Sequence, residues 1–306
     1  MQRPKHAYPV LLAALSLLLL AGAGCNSDRD DYVVIQTTPA VPASSAAVPA
    51  APVAPATQGA LARIMAAQVL RIGVREDAPP FGFKDKEDRP QGFDIDLGFR
   101  IARALKVQPV YVTVTSQNRI EKLKNGEIDI IIATLTATRH RAKEIDFSMP
   151  YFQDQQGLLV AAASPIQSYR DLSGKKVASA VGSTSIENLK VVAPDSQIVP
   201  VNSMKDAFEK LKKGEVDAIT GDGMTLRALD YGSEDPKAYR LAGEGFSVEP
   251  YVIGLPQNDS QFRSQIDDLL TELWTNGIWT RVYNKWLGPE TPYNMETHFQ
   301  MPILPP

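Results

Sequence analysis

Cysteine and histidine are almost missing from this chain. Its 306 residues hold one Cys, Cys25, and three scattered His, His6, His140 and His298. That supply gives no basis for a His/Cys metal site, and no disulfide can form within the chain. An excess of one charge is also lacking. The 32 Lys and Arg against 35 Asp and Glu leave a formal net charge of -3, which does not favour nucleic acid as a partner. No apolar run beyond residue 24 is long enough to span a bilayer, so a membrane-spanning receptor is not expected. What is present, 44% hydrophobic and 22% charged residues, suits one large core or two lobes.

The N-terminus reads as an export signal. Arg3 and Lys5 precede an apolar run over 10–24 broken by Ser16, and the run ends in small residues at Gly24-Cys25. A cysteine directly after small residues resembles the bacterial lipoprotein cleavage box, in which the thiol receives the lipid, and this makes Cys25 the candidate lipidation site. Gly22 stands where a Leu is usual, and Ala21-Gly22-Ala23 also suits ordinary signal cleavage, so both routes stay open. The domain reading is a signal at 1–25, an Ala/Pro-rich tether at 26–60, one discontinuous lobe at 61–160 and 250–288, a second lobe at 161–249, and a loose tail at 289–306. The tether composition cannot build a core and favours extended conformations.

The folded part repeats itself. Glu121-Lys-Leu-Lys-Asn-Gly-Glu-Ile-Asp129 returns as Glu209-Lys-Leu-Lys-Lys-Gly-Glu-Val-Asp217, an offset of 209 minus 121, or 88 residues. Each copy predicts a helix ending at a glycine, Gly126 or Gly214, followed by an apolar strand. Two copies at that spacing predict two similar α/β lobes rather than a solenoid.

Around the repeats the chain alternates strands and helices. Strands are expected at Val69–Val74, Val110–Val114, Ile128–Ala133, Leu158–Ala162, Lys176–Ala180 and Tyr251–Leu255, and amphipathic helices after Gly92 and from about Ser260 to Trp286. That rhythm implies mostly parallel sheets with a ligand crevice outside the carboxyl ends of the strands. Arg75, Thr134, Thr136 and Arg141 all follow strand ends. Asp94 and Asp96, at a helix start, read as capping and dipole residues. The Gly182-Ser183-Thr184 turn offers N–H groups and hydroxyls to an anion, without the Gly-Lys-Ser/Thr ending of a nucleotide loop.

Superposing the repeats pairs Thr134 with Asp222. One lobe then presents hydroxyls and Arg141, and the other Asp222 with the Ser183/Thr184 turn. A bidentate arginine for an α-carboxylate and a carboxylate for an α-ammonium suit a zwitterion. Each residue alone is an ordinary surface charge or cap; their joint placement carries the reading.

Several stretches resemble one family. Gly92-Phe-Asp-Ile-Asp-Leu97 with Ile101-Ala102 and Leu105, Thr136-Ala-Thr-Arg-His-Arg141 before Ile-Asp-Phe-Ser, Asp171-Leu-Ser-Gly-Lys-Lys-Val177 before Gly182-Ser-Thr184, and Tyr283-Asn-Lys-Trp-Leu-Gly288 are similar to the family 3 bacterial extracellular solute-binding proteins. The resemblance runs from about Leu70 to Gly288. It implies an α/β periplasmic-binding-protein fold of type II, two Rossmann-like lobes joined by a two-strand hinge near Leu158–Ala162 and Ser247–Val252, closing over the ligand.

By the same resemblance, Arg141 pairs the α-carboxylate with Thr136, Thr134 and the Thr184 N–H assisting, and Asp222 holds the α-ammonium. The family often stacks an aromatic ring on the ligand. Ala78 and Ser116 occupy the expected places here, which leaves Phe81 as the candidate ring. Arg75 with Thr115-Ser-Gln-Asn-Arg-Ile120 is similar to glutamate/aspartate-binding members, where a cation meets the distal carboxylate, and Arg139 is a candidate second cation. The alternative is that Glu76 and Asp77 neutralise Arg75 or select a basic ligand.

The function these readings imply is a monomeric, exported, non-enzymatic binding protein that delivers a polar L-amino acid to an ABC permease, with no cofactor. A periplasmic dehydratase on the same fold is the alternative enzyme, with only His140 and Glu187 as general-acid candidates. Partnership with a separate membrane sensor is a third reading.

Overall fold

The computed structural model describes residues 59–303 except Pro236 and Glu296. The signal segment with Cys25, and the 26–60 stretch up to residue 58, lie outside the described residues. In chain order the first elements are α1 (Ala60–Ala67), β1 (Val69–Val74), β2 (Asp77–Ala78), β3 (Gly82–Lys84), β4 (Pro90–Gln91), α2 (Phe93–Ala104), β5 (Gln108–Thr113), α3 (Arg119–Lys124), β6 (Ile130–Ile131) and β7 (Asp146–Asp154). Then come β8 (Gln156–Ala161), β9 (Lys176–Ala180), α4 (Thr184–Val192), β10 (Gln197–Val201), α5 (Met204–Lys212), β11 (Ala218–Asp222), α6 (Gly223–Tyr231) and β12 (Tyr239–Leu241). The last are β13 (Glu249–Leu255), α7 (Ser260–Thr275) and α8 (Ile278–Trp286).

Two five-stranded sheets organise these elements, β5-β1-β6-β13-β7 and β10-β9-β11-β8-β12. Each has three parallel strands, then one antiparallel strand, β13 or β8, and a last strand, β7 or β12, paired antiparallel to that one, so the two lobes share one plan. Strand alternation feeds separate cores on the two faces of each sheet. Ile130 and Ile132 join one cluster while Ile131 and Ala133 join another, and in the second lobe Val177 and Ala178 divide the same way.

The repeat is reproduced in its hydrogen bonds. Gly126 and Gly214 take φ +71° and +68°, the left-handed conformation that glycine adopts without steric penalty. The next N–H reaches back to close the helix end in both copies, Glu127 to the Lys122 carbonyl at 3.0 Å and Glu215 to the Lys210 carbonyl at 2.9 Å. The same residues form ion pairs, Lys122–Glu127 at 2.7 Å and Lys210–Glu215 at 2.8 Å. Asp129 and Asp217 accept the N–H of Arg71 and of Lys176, which fastens each strand start to its neighbour.

Three details differ from the sequence expectations. The chain passes from the first sheet to the second around Gln155, and β8, expected as a crossing strand, lies inside the second sheet between β11 and β12. The strand expected over 128–133 pairs only at Ile130–Ile131. The described part of the tail is packed against the first lobe. Met301 is buried, and the Phe299 ring lies 5.7 Å from Trp279 and 5.9 Å from Trp274, because the apolar residues in the tail find an aromatic face left open by α7 and α8.

Candidate functional site

The strand ends of both lobes line a small pocket between them. Arg75, Ser116, Arg119 and Thr134 come from the first lobe, and Ser183, Thr184, Asp222 and Thr225 from the second. About 10 Å³ of space remains between them, room for a single water, so a ligand reaches the pocket only when the lobes part. A wider groove of about 840 Å³ shares Ser116, Ser183 and Thr184 with the pocket and adds Arg141.

Thr134 holds a φ of +46°, which is costly for a β-branched residue. Asp94 imposes it. Its carboxylate accepts the Thr134 N–H at 2.9 Å and the Tyr151 hydroxyl at 2.8 Å, and it caps no helix of its own. Burial is the main reason the Asp94 pKa rises to about 6, against the pull of those two donors. Asp94 thus positions the site, a role beyond the capping one expected from its place in the helix.

Two arginines, Arg75 and Arg119, line the pocket, and a third, Arg141, lines the adjoining groove. Arg75 is gripped by Asp77 through two bonds, Nε at 2.8 Å and a terminal nitrogen at 2.9 Å, and donates weakly to the Thr134 hydroxyl at 3.3 Å. Burial opposes its charge, but Asp77, and Asp222 beyond it, raise the Arg75 pKa above the usual value. Glu76 turns away, to Thr113 and Lys84.

Arg119 sits in a different state. Its hydrogen bonds go to the Ala133 and Thr134 carbonyls, and its buried Nε–H has no acceptor. Burial first, then the charges of Arg141 and Arg75, push its pKa well below the ordinary arginine value. Ser116 Oγ and Thr225 Oγ1 are also buried without partners. An unsatisfied donor in such a place costs free energy unless a ligand supplies the acceptor.

Arg141 joins the lobes. It donates to the Thr136 carbonyl at 2.7 Å on its own lobe and to the Gly182 carbonyl at 3.0 Å on the other. Gly182 lies so close to Ser116 and Gln117 that a Cβ there would come within 2.7 Å of backbone atoms, and its φ of +77° favours glycine as well. Burial lowers the Arg141 pKa, with Glu249 and Asp222 opposing.

The hydroxyls of Thr136 and Thr184, expected to face the ligand, both donate to Glu249 Oε2, at 2.7 and 2.9 Å. A hydroxyl has one proton, so neither can serve a second carboxylate while this arrangement holds. The Ser183 hydroxyl donates to the Ala180 carbonyl. Phe81 and Arg139 are not brought to the pocket. Phe81 is fully buried in an aromatic cluster with Phe93, Phe152 and Tyr251, because the turn between β2 and β3 directs its ring into the core. Arg139 is exposed on the surface, outside the lining of both the pocket and the groove. Sequence reasoning gave no role to Arg119, Thr225, Asp154 or Glu249. Arg119 lies in Thr115-Ser-Gln-Asn-Arg-Ile120, and its place at a helix start after a strand is the signal the sequence carries.

Asp222 lies near a second acid. Asp154, at the end of β7, accepts from the Gln155 N–H, the Met224 N–H and the Tyr251 hydroxyl. Burial, then the Asp222 charge, raise the Asp154 pKa to about 7 despite those donors, and burial also raises that of Asp222. An ammonium placed at Asp222 favours the ionised form of Asp154 beside it, so binding below about pH 7 expels the proton that Asp154 holds. We predict that amino acid affinity falls as pH drops below about 7, by up to about tenfold per unit. Calorimetry in two buffers of different ionisation heat checks this; no proton release at pH 6 would refute it.

Two lobes of one plan, meeting over a small polar pocket lined by strand ends of both, define a solute-binding protein of type II periplasmic fold. The chain belongs to the bacterial extracellular solute-binding proteins, family 3, whose signature matches residues 70–289. It is 37% identical over 232 residues to the ABC transporter glutamine-binding protein GlnH of Bacillus subtilis, covering 74% of this chain and 84% of that one. It is 28% identical over 256 residues to the L-glutamate/L-aspartate-binding protein of Pseudomonas aeruginosa, covering 79% and 85%. Among solved structures, an ancestral arginine-binding protein bound to glutamine is similar at a TM-score of 0.70 and 36% identity, covering 72% of this chain and 98% of that one. The protein is an amino acid-binding, extracytoplasmic ABC substrate-binding protein.

Proposed function

We propose that this protein captures an acidic L-amino acid, glutamate or aspartate, and hands it unchanged to an ABC permease, held near a membrane by lipid on Cys25 and the Ala/Pro-rich tether. Arg141 takes the α-carboxylate and Asp222 the α-ammonium. The distal carboxylate lies between Arg75 and Arg119, with the Ser116 and Thr225 hydroxyls donating to it. The observation that carries this reading is Arg119, a buried guanidinium repelled by two others, with carbonyls as its acceptors and Nε–H unpaired. A carboxylate supplies both the charge and the acceptor that Arg119 lacks; an amide supplies only the acceptor.

Glutamine is the second reading. Asp77 already pairs Arg75, and Glu249 lies beside Arg141, which favours a neutral side chain, as does the likeness to the Bacillus subtilis protein. Titration calorimetry with glutamate, aspartate, glutamine and arginine separates them. We expect glutamate or aspartate at micromolar affinity or better, at least about 8 kcal/mol, and glutamine at least about tenfold weaker. The reverse order would transfer the site to glutamine, and tight arginine binding would reject both.

A further inference from the structure

We propose that Glu249 is a positioning residue that latches the two lobes together without a ligand and so sets how tightly the closed site holds one. It is the first residue of β13, a strand of the first-lobe sheet, and its carboxylate is buried. Oε2 accepts the Thr136 hydroxyl at 2.7 Å within the same lobe. Across the cleft, Oε2 accepts the Thr184 hydroxyl at 2.9 Å, and Oε1 accepts the Asn188 Nδ2 at 2.9 Å. Thr184 and Asn188 lie in the first turns of α4, whose N-terminal dipole adds to the attraction for an anion.

The second lobe holds its side of the latch rigid. Gln156 donates to the Thr184 Oγ1 at 2.8 Å, which orients that hydroxyl's proton toward Glu249, and accepts from Asn188 Nδ2 at 2.7 Å. Asn188 therefore cannot flip its amide toward Glu249 without losing Gln156. When the lobes part, the Thr184 and Asn188 bonds break while the Thr136 bond stays within its lobe. A ligand carboxylate at Arg141 gains from the latch because closure over the ligand remakes the Thr184 and Asn188 bonds to Glu249.

This inference rests on the binding reading above, but its first test does not need to know the ligand. In full-length protein with Cys25→Ser, spin labels on Lys124→Cys and Lys190→Cys, exposed on α3 and α4, report the interlobe distance in the absence of amino acid. The unsubstituted latch should give a distribution dominated by the closed distance. Glu249→Gln removes the charge and replaces one of the two acceptor oxygens by an NH2 donor, so that either Asn188 or the pair of threonine hydroxyls loses its acceptor, and should shift the population to longer distances and weaken amino acid binding about tenfold, mostly through faster release. Asn188→Ala should shift both readouts the same way, and it carries the test should Glu249→Gln fail to fold. Unchanged distance distributions in the folded variants would overturn the latch. A shifted distribution in a protein that does not bind glutamate would leave the latch standing and reject only the assigned ligand.

Discussion

Arg141→Ala is expected to weaken amino acid binding by at least about a thousandfold while the circular dichroism spectrum and the melting behaviour stay close to those of the parent protein. Truncating one partner of a buried charge pair costs about 2–5 kcal/mol, and the upper part of that range corresponds to the loss expected here. The effect is large because Arg141 does two things at once. In the proposed binding mode its guanidinium supplies the positive charge at the α-carboxylate end, and its bonds to the Thr136 and Gly182 carbonyls hold the first-lobe loop against the second-lobe turn.

Arg141→Lys separates these contributions. An ammonium keeps the charge but cannot make both carbonyl bonds and a bidentate contact, so an intermediate loss of about tenfold to a hundredfold is expected. Calorimetry with the preferred amino acid reads both variants. Binding within tenfold of the parent in Arg141→Ala would mean that the α-carboxylate is held elsewhere, by the α4 N-terminus alone.

What could be read from the sequence divides by distance along the chain. The repeat was legible because a helix, its glycine cap and the following strand are fixed by neighbours within a few residues. Gly126 and Gly214 adopt the left-handed conformation expected of them, and Thr134 and Asp222, paired only by counting 13 residues from each repeat start, line the same pocket. Arg75 was legible as a strand-end cation, and so was the alternative that an adjacent acid neutralises it; Asp77 does so two residues away.

Features set by long-range partners were not legible. Glu249 meets Thr136 across 113 residues, and nothing near Ser247-Val-Glu-Pro distinguishes a buried acid from a surface one. Phe81 shows the same limit in reverse. An aromatic residue after Pro79-Pro80 reads alike whether it faces the cleft or the core, and only the packing of Phe93, Phe152 and Tyr251 around it decides. Asp94 was read for its place at a helix start, yet its two bonds reach Thr134 and Tyr151, 40 and 57 residues away. The apolar residues of the tail were hidden among prolines, and their docking depends on the aromatic face built by α7 and α8.

Arg119→Met should produce a protein that is more stable and less useful. Arg119 is buried among like charges, and replacing such a group by an apolar side chain of similar length is often stabilising. The substitution removes repulsion from Arg75 and Arg141, at the cost of the bonds to the Ala133 and Thr134 carbonyls, whose places pocket water can take. A net gain on the order of 1–2 kcal/mol in the ligand-free protein is expected, read as a higher denaturation midpoint. Glutamate affinity should fall by about a hundredfold or more, because the distal carboxylate loses its one uncommitted cation while Arg75 remains tied to Asp77. Glutamine affinity should fall by no more than about tenfold, since an amide loses a hydrogen bond but no charge pair. The ratio of the two affinities is therefore the decisive quantity. A variant that binds glutamate and glutamine each less tightly by the same factor would show that Arg119 supports the pocket wall through Thr134 and does not read the ligand's charge.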